Sequence, residues 1–352
     1  MKTRNILSAL LICGLSFSTL NAQQVASPEL IKSIKDASDA LNKGDYNNAI
    51  ALYKYAIRMS PDNVPFRRDL AYCYFLQKNY DQALESLMPV LESELADPPT
   101  FQLAAGVEQA KGSTSKAKKT LNEGLKKFPN SGLLYYAKGN LLLKESKKPD
   151  AALAEWTKGI QLEPSYANNY FNLAQTLFQN EDYLWSIIYA EKYINLDNQG
   201  AKAVEMRTLL LNAYKNLFAT AKNIELPSFK QKGNSKNELS FEKAAMNTLA
   251  NNISTISDGF TTDNVIMLRS RFLIAWNNHY AQKFPESQFS YQTQMMQSGY
   301  FPAYNQWIFG AVNDSQEFGI WVNQFKDEYQ KFEIWKAKNQ YIPSAEDNKR
   351  SN

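Results

Sequence analysis

Few residues of this chain could perform catalysis. His279, the single histidine, could act as a general base. The carboxylates and hydroxyls that could orient or be activated by it are Asp258, Asp263, Glu286, Ser287 and Ser290. Its local sequence, WNNHYAQKFP, has polar neighbours typical of a solvated helix surface, and no nucleophile elbow, phosphate-binding loop or dinucleotide fingerprint occurs in the chain. We therefore predict no catalytic residue and expect that the protein is not an enzyme.

Residue counts exclude most metal and disulfide chemistry. One histidine cannot supply a two-histidine metal site, and two cysteines, Cys13 and Cys73, are too few for a cysteine-rich zinc site or a disulfide framework. Cys73 lies in a helical apolar pattern, where a lone thiol is typical of a small core residue. We predict no metal site and no cofactor.

The composition is that of a folded chain without the charge of a nucleic-acid binder. Of 352 residues, 44% are hydrophobic and 21% are charged, which suffices for one large or two ordinary domains. The formal net charge of +4 comes from 39 basic and 35 acidic residues. This small excess excludes a basic nucleic-acid-binding surface of the usual kind.

The first 22 residues have the pattern of a secretory signal peptide. Lys2 and Arg4 precede an apolar run that extends from Ile6 to Phe17, and small and polar residues then lead to Ala22. The domain at 1–22 is therefore predicted to be removed on export.

A cysteine within this leader raises the alternative of lipid attachment. Ile12, which precedes Cys13, argues against it because that processing requires a small residue there. No later segment has about 18 consecutive apolar residues, so we expect no transmembrane helix in the mature chain. The predicted location is the periplasm.

Small residues recur every 34 or 35 positions between residues 30 and 200. The first series is Ala37, Ala71, Ala105, Gly139 and Ala174, and the second is Ala49, Ala83, Ala117, Ala152 and Ser186. The two series are offset by about one short helix and a turn. Small side chains at such positions let the two helices of a hairpin approach closely.

Bulky residues and prolines keep the same phase. Aromatic residues just after the turn are Tyr46, Tyr80 and Tyr183. Bulky residues four positions beyond the second small residue are Tyr53, Leu87, Leu121 and Trp156. The prolines that follow the second helix, which proline cannot continue, are Pro61, Pro129 and Pro164.

On these residues the chain resembles the tetratricopeptide repeat family. Five units fit the pattern, at 30–63, 64–97, 98–131, 132–166 and 167–200, and a capping helix is predicted at 203–217. The resemblance implies an all-α superhelical solenoid at 30–217 with a concave groove that binds a protein or peptide partner. The positions that it places in the groove are Arg68, Tyr72, Gln102, Tyr136, Asn140, Asn168, Phe171, Asn172 and Gln175.

A run of lysines marks the third unit. Its members and near neighbours are Lys111, Lys116, Lys118, Lys119, Lys126, Lys127, Lys144, Lys147 and Lys148. They could form a basic patch for an acidic partner or for anionic lipids. Because Glu123 and Glu145 interrupt the run, the sequence favours an ordinary solvated face.

The second half has a different composition. A polar linker is predicted at 223–239, and residues 272–341 contain 18 aromatics, about twice the frequency of the whole chain. We predict an aromatic-rich helical domain at 240–341, with helices near 240–256, 263–283, 286–298 and 314–338, and a polar tail at 342–352.

An aromatic segment bracketed by glycines, GYFPAYNQWIFG at 299–310, is predicted to be a loop. Its Tyr304, Asn305 and Trp307 could form a ligand platform, or they could fill the core of the domain. The sequence therefore predicts an exported scaffold or adaptor that binds a partner in the cell envelope, in the assembly of an envelope or secretion complex. The alternative is a glycan- or cell-wall-binding protein that uses this platform, with the repeats as a spacer.

Overall fold

The computed structural model describes residues 27–146, 149–221 and 239–350. The regular elements in these ranges are all helical, which confirms the predicted all-α class. The predicted signal peptide, with Cys13, and nearly all of the predicted linker lie outside the described residues. None of the helices in these ranges has the length and apolar character needed to cross a bilayer.

Eleven helices form the repeat region of the described chain. They are α1 (Pro28–Lys43), α2 (Tyr46–Met59), α3 (Val64–Leu76), α4 (Tyr80–Leu91), α5 (Pro98–Ala110), α6 (Thr114–Lys127), α7 (Gly132–Ser146), α8 (Pro149–Leu162), α9 (Ala167–Gln179), α10 (Tyr183–Leu196) and α11 (Gly200–Ala221). The helices that follow are α12 (Phe241–Ala250), α13 (Thr262–His279), α14 (Ser287–Gln297), α15 (Phe301–Asn305), α16 (Ala311–Asn313), α17 (Ser315–Gln324) and α18 (Lys326–Lys338), with a 3₁₀ turn at Ile253–Ile256 and a π-helical turn at Gln306–Gly310.

The chain divides into two compact units between Ser86 and Leu87. In the first unit, Ala37 of α1 and Ala49 of α2 are fully buried, as the small-residue series predicts. Helix α1 ends at Gly44, whose φ of 80° is readily adopted by glycine. The side chain of Asp45 then accepts a hydrogen bond from the backbone N–H of Asn48 at 3.3 Å and starts α2.

The second unit contains the repeat hairpins from α5 onward and the C-terminal helices. Gly139 of α7 faces Trp156 of α8, and a Cβ at Gly139 would lie 2.2 Å from the indole Nε1. That nitrogen donates to the carbonyl oxygen of Tyr136 at 3.2 Å. In the next hairpin the hydroxyl of Ser186 donates to the carbonyl oxygen of Ala174 at 2.9 Å. The predicted close approach at the small residues is confirmed in both hairpins.

Helix α10 is buried along most of its length, from Leu184 to Ile194. It packs against α9 and α11 on one side, and C-terminal helices cover the other. The ring centroid of Trp185, for example, lies 5.2 Å from that of Phe241 in α12. Even Glu191 and Lys192 are at most 1% exposed. The C-terminal region therefore covers the last repeat hairpin rather than standing apart from it.

The prediction of a loop at 299–310 is wrong, because this segment is helical in α15 and the π-helical turn. Pro302 stands in the first turn of α15, where its missing N–H costs no helical hydrogen bond. Gly310 has ordinary right-handed helical angles, and a Cβ there would lie 2.4 Å from the ring of Phe318. This glycine serves close packing, not the termination that the sequence pattern indicates.

The predicted helix at 314–338 is interrupted. Phe325 has φ −112° and ψ 38°, which ends α17, and α18 starts at the next residue. The predicted polar tail also packs as far as it is described. Asp347 is 5% exposed, and the backbone N–H of Arg350 donates to the hydroxyl of Tyr189 at 3.2 Å.

Candidate partner-binding surface

The nine predicted groove residues lie on the first helices of their hairpins. In the first unit, Arg68 and Tyr72 of α3 are half-buried, and burial raises the pKa of Tyr72. In the second unit, Gln102 of α5 is half-buried. The remaining six are brought together on α7 and α9: Tyr136, Asn140, Asn168, Phe171, Asn172 and Gln175.

Amide side chains connect successive first helices across the repeats. Asn172 Nδ2 of α9 donates to Asn140 Oδ1 of α7 at 2.5 Å. Gln175 Nε2 donates to Glu205 Oε1 of α11 at 2.5 Å. Lys202 Nζ of α11 donates to Asn168 Oδ1 at 2.8 Å. The three bonds join α7, α9 and α11 into one polar row.

Two of the predicted aromatics are largely buried beneath this row. Tyr136 and Phe171 are each 8% exposed. The Tyr136 ring lies edge-on to that of Tyr166 at 5.9 Å, and the Phe171 ring lies edge-on to that of Tyr193 at 5.2 Å. Burial raises the pKa of Tyr136, and a hydrogen bond with Asn140 opposes the change. Packing of these largely buried rings helps to fix the shape of the surface.

Sequence reasoning missed Lys202 and Glu205, which lie on the helix that was predicted only as a cap. The ammonium of Lys202 stands 5.0 Å from the centroid of the Phe171 ring. Burial lowers the pKa of Lys202, while Asp197 and Glu205 act in the opposite direction. Continuing the period from Asn168 would have reached Lys202, which lies 34 positions later. The signal was therefore present in the sequence.

We call the resulting set the amide surface. Its residues are Tyr136, Asn140, Asn168, Phe171, Asn172, Gln175, Lys202 and Glu205. Its polar side chains are half-buried apart from the exposed Glu205. A primary amide has two N–H donors and an oxygen that accepts two bonds, so a paired amide keeps capacity for a ligand. The surface can accordingly hydrogen-bond a peptide main chain while an acid and a base stand beside it.

The predicted ligand platform in the C-terminal half is not an exposed surface. Tyr304 and Asn305 are fully buried. The Tyr304 hydroxyl donates to Glu191 Oε1 at 2.8 Å, and Asn305 Oδ1 accepts from Arg269 Nη1 at 2.5 Å. Both residues fill the core of the domain, which is the second of the two alternatives that the sequence leaves open. Tyr304 and Asn305 therefore do not form the exposed platform that the glycan-binding alternative predicts.

The third platform residue, Trp307, is half-buried between two cations. The guanidinium of Arg207 lies 4.6 Å from its ring centroid and the ammonium of Lys336 lies 3.8 Å from it. Burial lowers the pKa of Lys336 to about 8, Glu333 opposes this, and Arg207 adds to it. The indole face that a sugar would stack on is thus in contact with the protein's own cations.

Of the candidate catalytic residues, the two serines are hydrogen-bonded within the fold and the histidine lies at the surface. His279 is exposed at the end of α13. The Ser287 hydroxyl lies 2.5 Å from Asp347 Oδ2 and 2.9 Å from the Tyr341 hydroxyl, and the Ser290 hydroxyl donates to the carbonyl oxygen of Glu286 at 3.1 Å. Among the described residues no group of three or more histidines, cysteines or carboxylates could hold a metal ion.

Comparison with known proteins gives distant similarities. A thermophilic TPR protein of Thermus thermophilus is 15% identical over 53% of this chain and 99% of its own, with a TM-score of 0.42. PilF of Pseudomonas aeruginosa is 17% identical over 55% of this chain and 87% of its own, with a TM-score of 0.42. A tetratricopeptide repeat protein from Parabacteroides merdae ATCC 43184 is 15% identical over 74% of this chain and 96% of its own, with a TM-score of 0.37.

The curated proteins contain no match to this chain. A comparison with protein families does give a match, which covers the part of the chain where the series of small residues begins. The chain resembles the tetratricopeptide repeat family, whose model matches residues 40–106.

Proposed function

We propose that this protein is an exported scaffold that holds an extended segment of a partner protein on the amide surface and performs no catalysis. The observation that carries the proposal is the hydrogen-bonded row that joins α7, α9 and α11 through Asn140, Asn172 and Gln175. A partner in the cell envelope, during assembly of an envelope or secretion complex, fits the predicted export.

The chemistry of the row favours a peptide main chain. Asn140 and Asn172 use one acceptor and one donor on each other, and amides can bond a backbone without requiring a particular side chain. Neighbouring helix axes are about 8–10 Å apart, so three first helices span roughly 20 Å. An extended strand rises about 3.3 Å per residue, so about six residues of a partner would cross the surface.

Export is supported by the composition of residues 1–22. The first test is the intact mass of the protein recovered from its native cells. We expect a chain that starts at Gln23 and lacks the leader. A mature protein that still contains residues 1–22 would contradict export by this route.

The binding proposal is tested with a photocrosslinking amino acid at Gln175, on the amide surface. The same amino acid at Gln161, which is exposed on α8, serves as the control. We expect crosslinks to defined envelope proteins from position 175 and none of these from position 161. Equal crosslinking from the two positions would contradict a site on the amide surface.

A second arm uses alanine variants of the binding residues. Asn140→Ala/Asn172→Ala removes two amides from the surface, and Asn48→Ala/Gln161→Ala removes two exposed amides from second helices. With the crosslinker at Gln175, we expect the first pair to lose at least tenfold in crosslinked partner and the second pair to lose less than twofold. Circular dichroism of both pairs establishes that the helical content is unchanged.

A further inference from the structure

Five lysines converge on an open trough in the second unit, away from the amide surface. The trough has a volume of about 660 Å³ and is bounded by α6, α7 and α8. Its lysines and its aromatic residue are Lys118, Lys119, Lys126, Lys138, Lys158 and Tyr135. The sequence run of lysines thus only partly predicts the feature, because Lys138 and Lys158 join it from other helices.

The lining has a strong excess of positive charge. Its one carboxylate is Glu123, which lies 3.7 Å from Lys119 on the exposed side of α6. Just outside, Glu155 pairs with Lys138 at 2.9 Å. Lys118, Lys126 and Lys158 are exposed, so two local ion pairs leave three ammonium groups facing one depression. An arrangement of this kind attracts an anion from solution.

One ammonium is held at the wall of the trough. Lys158 Nζ lies 5.2 Å from the centroid of the Tyr135 ring, a cation–π contact. Tyr135 is 5% exposed, so its ring is held in place by packing and gives this lysine a rigid surface to lie on. Restricting a flexible lysine before binding reduces the entropy that a ligand must overcome.

We infer that this trough binds an acidic segment of a partner protein. Its lining residues on α6 run from Ser115 to Lys126, about 16 Å at 1.5 Å per residue, which matches about five residues of an extended chain. Carboxylates on such a segment would meet the ammonium groups along its length. A concave lining suits a strand better than a flat membrane.

Residues 222–238 of the chain itself lack the negative charge that such a segment needs. Residues 222–238 contain four lysines and two glutamates, so they carry the same sign of charge as the trough. The trough also lies on a different face of α7 from the amide surface. Tyr135 and Lys138 line the trough, whereas Tyr136 and Asn140 belong to the amide surface, and each residue turns a helix by about 100°. One partner, or two, could therefore contact the two surfaces at once.

The test is fluorescence anisotropy of a labelled hexaglutamate peptide with the full mature chain. The trough variant is Lys118→Glu/Lys126→Glu/Lys158→Glu. The control variant is Lys32→Glu/Lys35→Glu/Lys43→Glu, which makes the same change in net charge on exposed residues of α1. A milder trough variant, with glutamine in the same three positions, guards against loss of fold from charge reversal.

We expect the wild type to bind hexaglutamate with an affinity that falls as salt is raised. Both trough variants should lose at least tenfold in affinity, and the control variant should lose less than threefold. An equal loss in trough and control variants would show a response to net charge alone and overturn the inference. The other contradicting outcome is a wild type that fails to bind the peptide but binds phosphatidylglycerol vesicles, with the trough variants abolishing that binding. This result would assign the trough to a lipid surface and would equally overturn the inference.

Discussion

Lys192 and Asp347 are 155 positions apart and form an ion pair of 2.8 Å between Nζ and Oδ2 in the interior of the second unit. Asp347 also accepts a hydrogen bond from the backbone N–H of Ser287 at 2.8 Å. Glu286 lies 2.6 Å from the same ammonium. Burial alone would raise the pKa of Asp347, but Lys192 and Ser287 lower it overall. The last described residues of the chain are therefore bound to the last repeat hairpin through a buried charge.

Replacing Asp347 by asparagine should destabilise the second unit. Asp347→Asn keeps the shape of the side chain but removes the charge that faces Lys192, and we expect a loss of roughly 2–3 kcal/mol in the free energy of unfolding. Urea denaturation followed by circular dichroism measures it. Glu346→Gln, at the exposed neighbouring position, is the control and should change stability by less than about 0.5 kcal/mol. Equal stability of the two variants would contradict a structural role for the pair.

A second buried ion pair allows a sharper test. Arg269 of α13 bonds to Glu191 of α10, which also accepts from Gln288 at 2.9 Å and from Gln292 at 2.8 Å. Arg269→Met leaves Glu191 as a buried charge without its cation, and we expect a loss of about 3–5 kcal/mol. Adding Glu191→Gln should recover part of that loss, because the remaining neighbours can hydrogen-bond a neutral amide. A double variant less stable than Arg269→Met would rule out this explanation.

Two glycines on neighbouring first helices should respond oppositely to alanine. At Gly139 the new methyl would lie 2.2 Å from Trp156 Nε1, whereas at Gly106 of α5 nothing lies within 4 Å. We expect Gly139→Ala to destabilise by about 1–3 kcal/mol through overpacking. Gly106→Ala should stabilise by up to about 1 kcal/mol, because alanine favours the helix and restricts the unfolded chain. Midpoints of thermal unfolding measure both, and a destabilised Gly106→Ala would contradict the argument.

The carboxyl group of Asp69 should make the first unit less stable as the pH rises. Burial raises the pKa of Asp69 to about 6, against the influence of Arg68 and a hydrogen bond from Tyr53. Below about pH 4 the carboxyl is protonated in both the folded and the unfolded chain. Between about pH 4 and pH 6 it ionises mainly in the unfolded chain, so the free energy of unfolding falls as pH rises across this window.

The measurement compares the wild type with Asp69→Asn, whose amide oxygen can still accept the bond from Tyr53. We expect the free energy of unfolding of the wild type, minus that of the variant, to decrease by about 2 kcal/mol from pH 4 to pH 7. One pKa unit corresponds to about 1.4 kcal/mol. A difference that stays constant with pH would show that Asp69 does not titrate in this window. Other groups contribute equally to both proteins and cancel.

Periodicity was sufficient to predict the repeat hairpins. Gly139 and Trp156 occupy the predicted small and bulky positions and meet as expected. Asn140 and Asn172, assigned to the groove by the family resemblance, are in direct contact across repeats. In each of these pairs the two residues are separated by about half of one repeat or by about one whole repeat of 34 residues. Such regular spacings can be recognised in a single sequence.

The contacts of the C-terminal half could not be predicted in this way. Glu191 and Lys192 look like solvated charges in the sequence, and their partners Arg269, Glu286 and Asp347 follow no period that points back to them. Pairing at such separations depends on the tertiary fold. The predicted ligand platform at Tyr304 was wrong for a related reason. A buried aromatic residue and an exposed one can have the same local sequence pattern.

The burial of α10 has a consequence for when the protein reaches its native state. Synthesis proceeds from the N-terminus, so Glu191 and Lys192 are made long before the cation at Arg269 and the carboxylate at Asp347. A nascent chain that ends before α12 exposes the apolar side of α10 and lacks the partners of both charges. The burial of these two charges is therefore complete only after Arg269, Glu286 and Asp347 have been made.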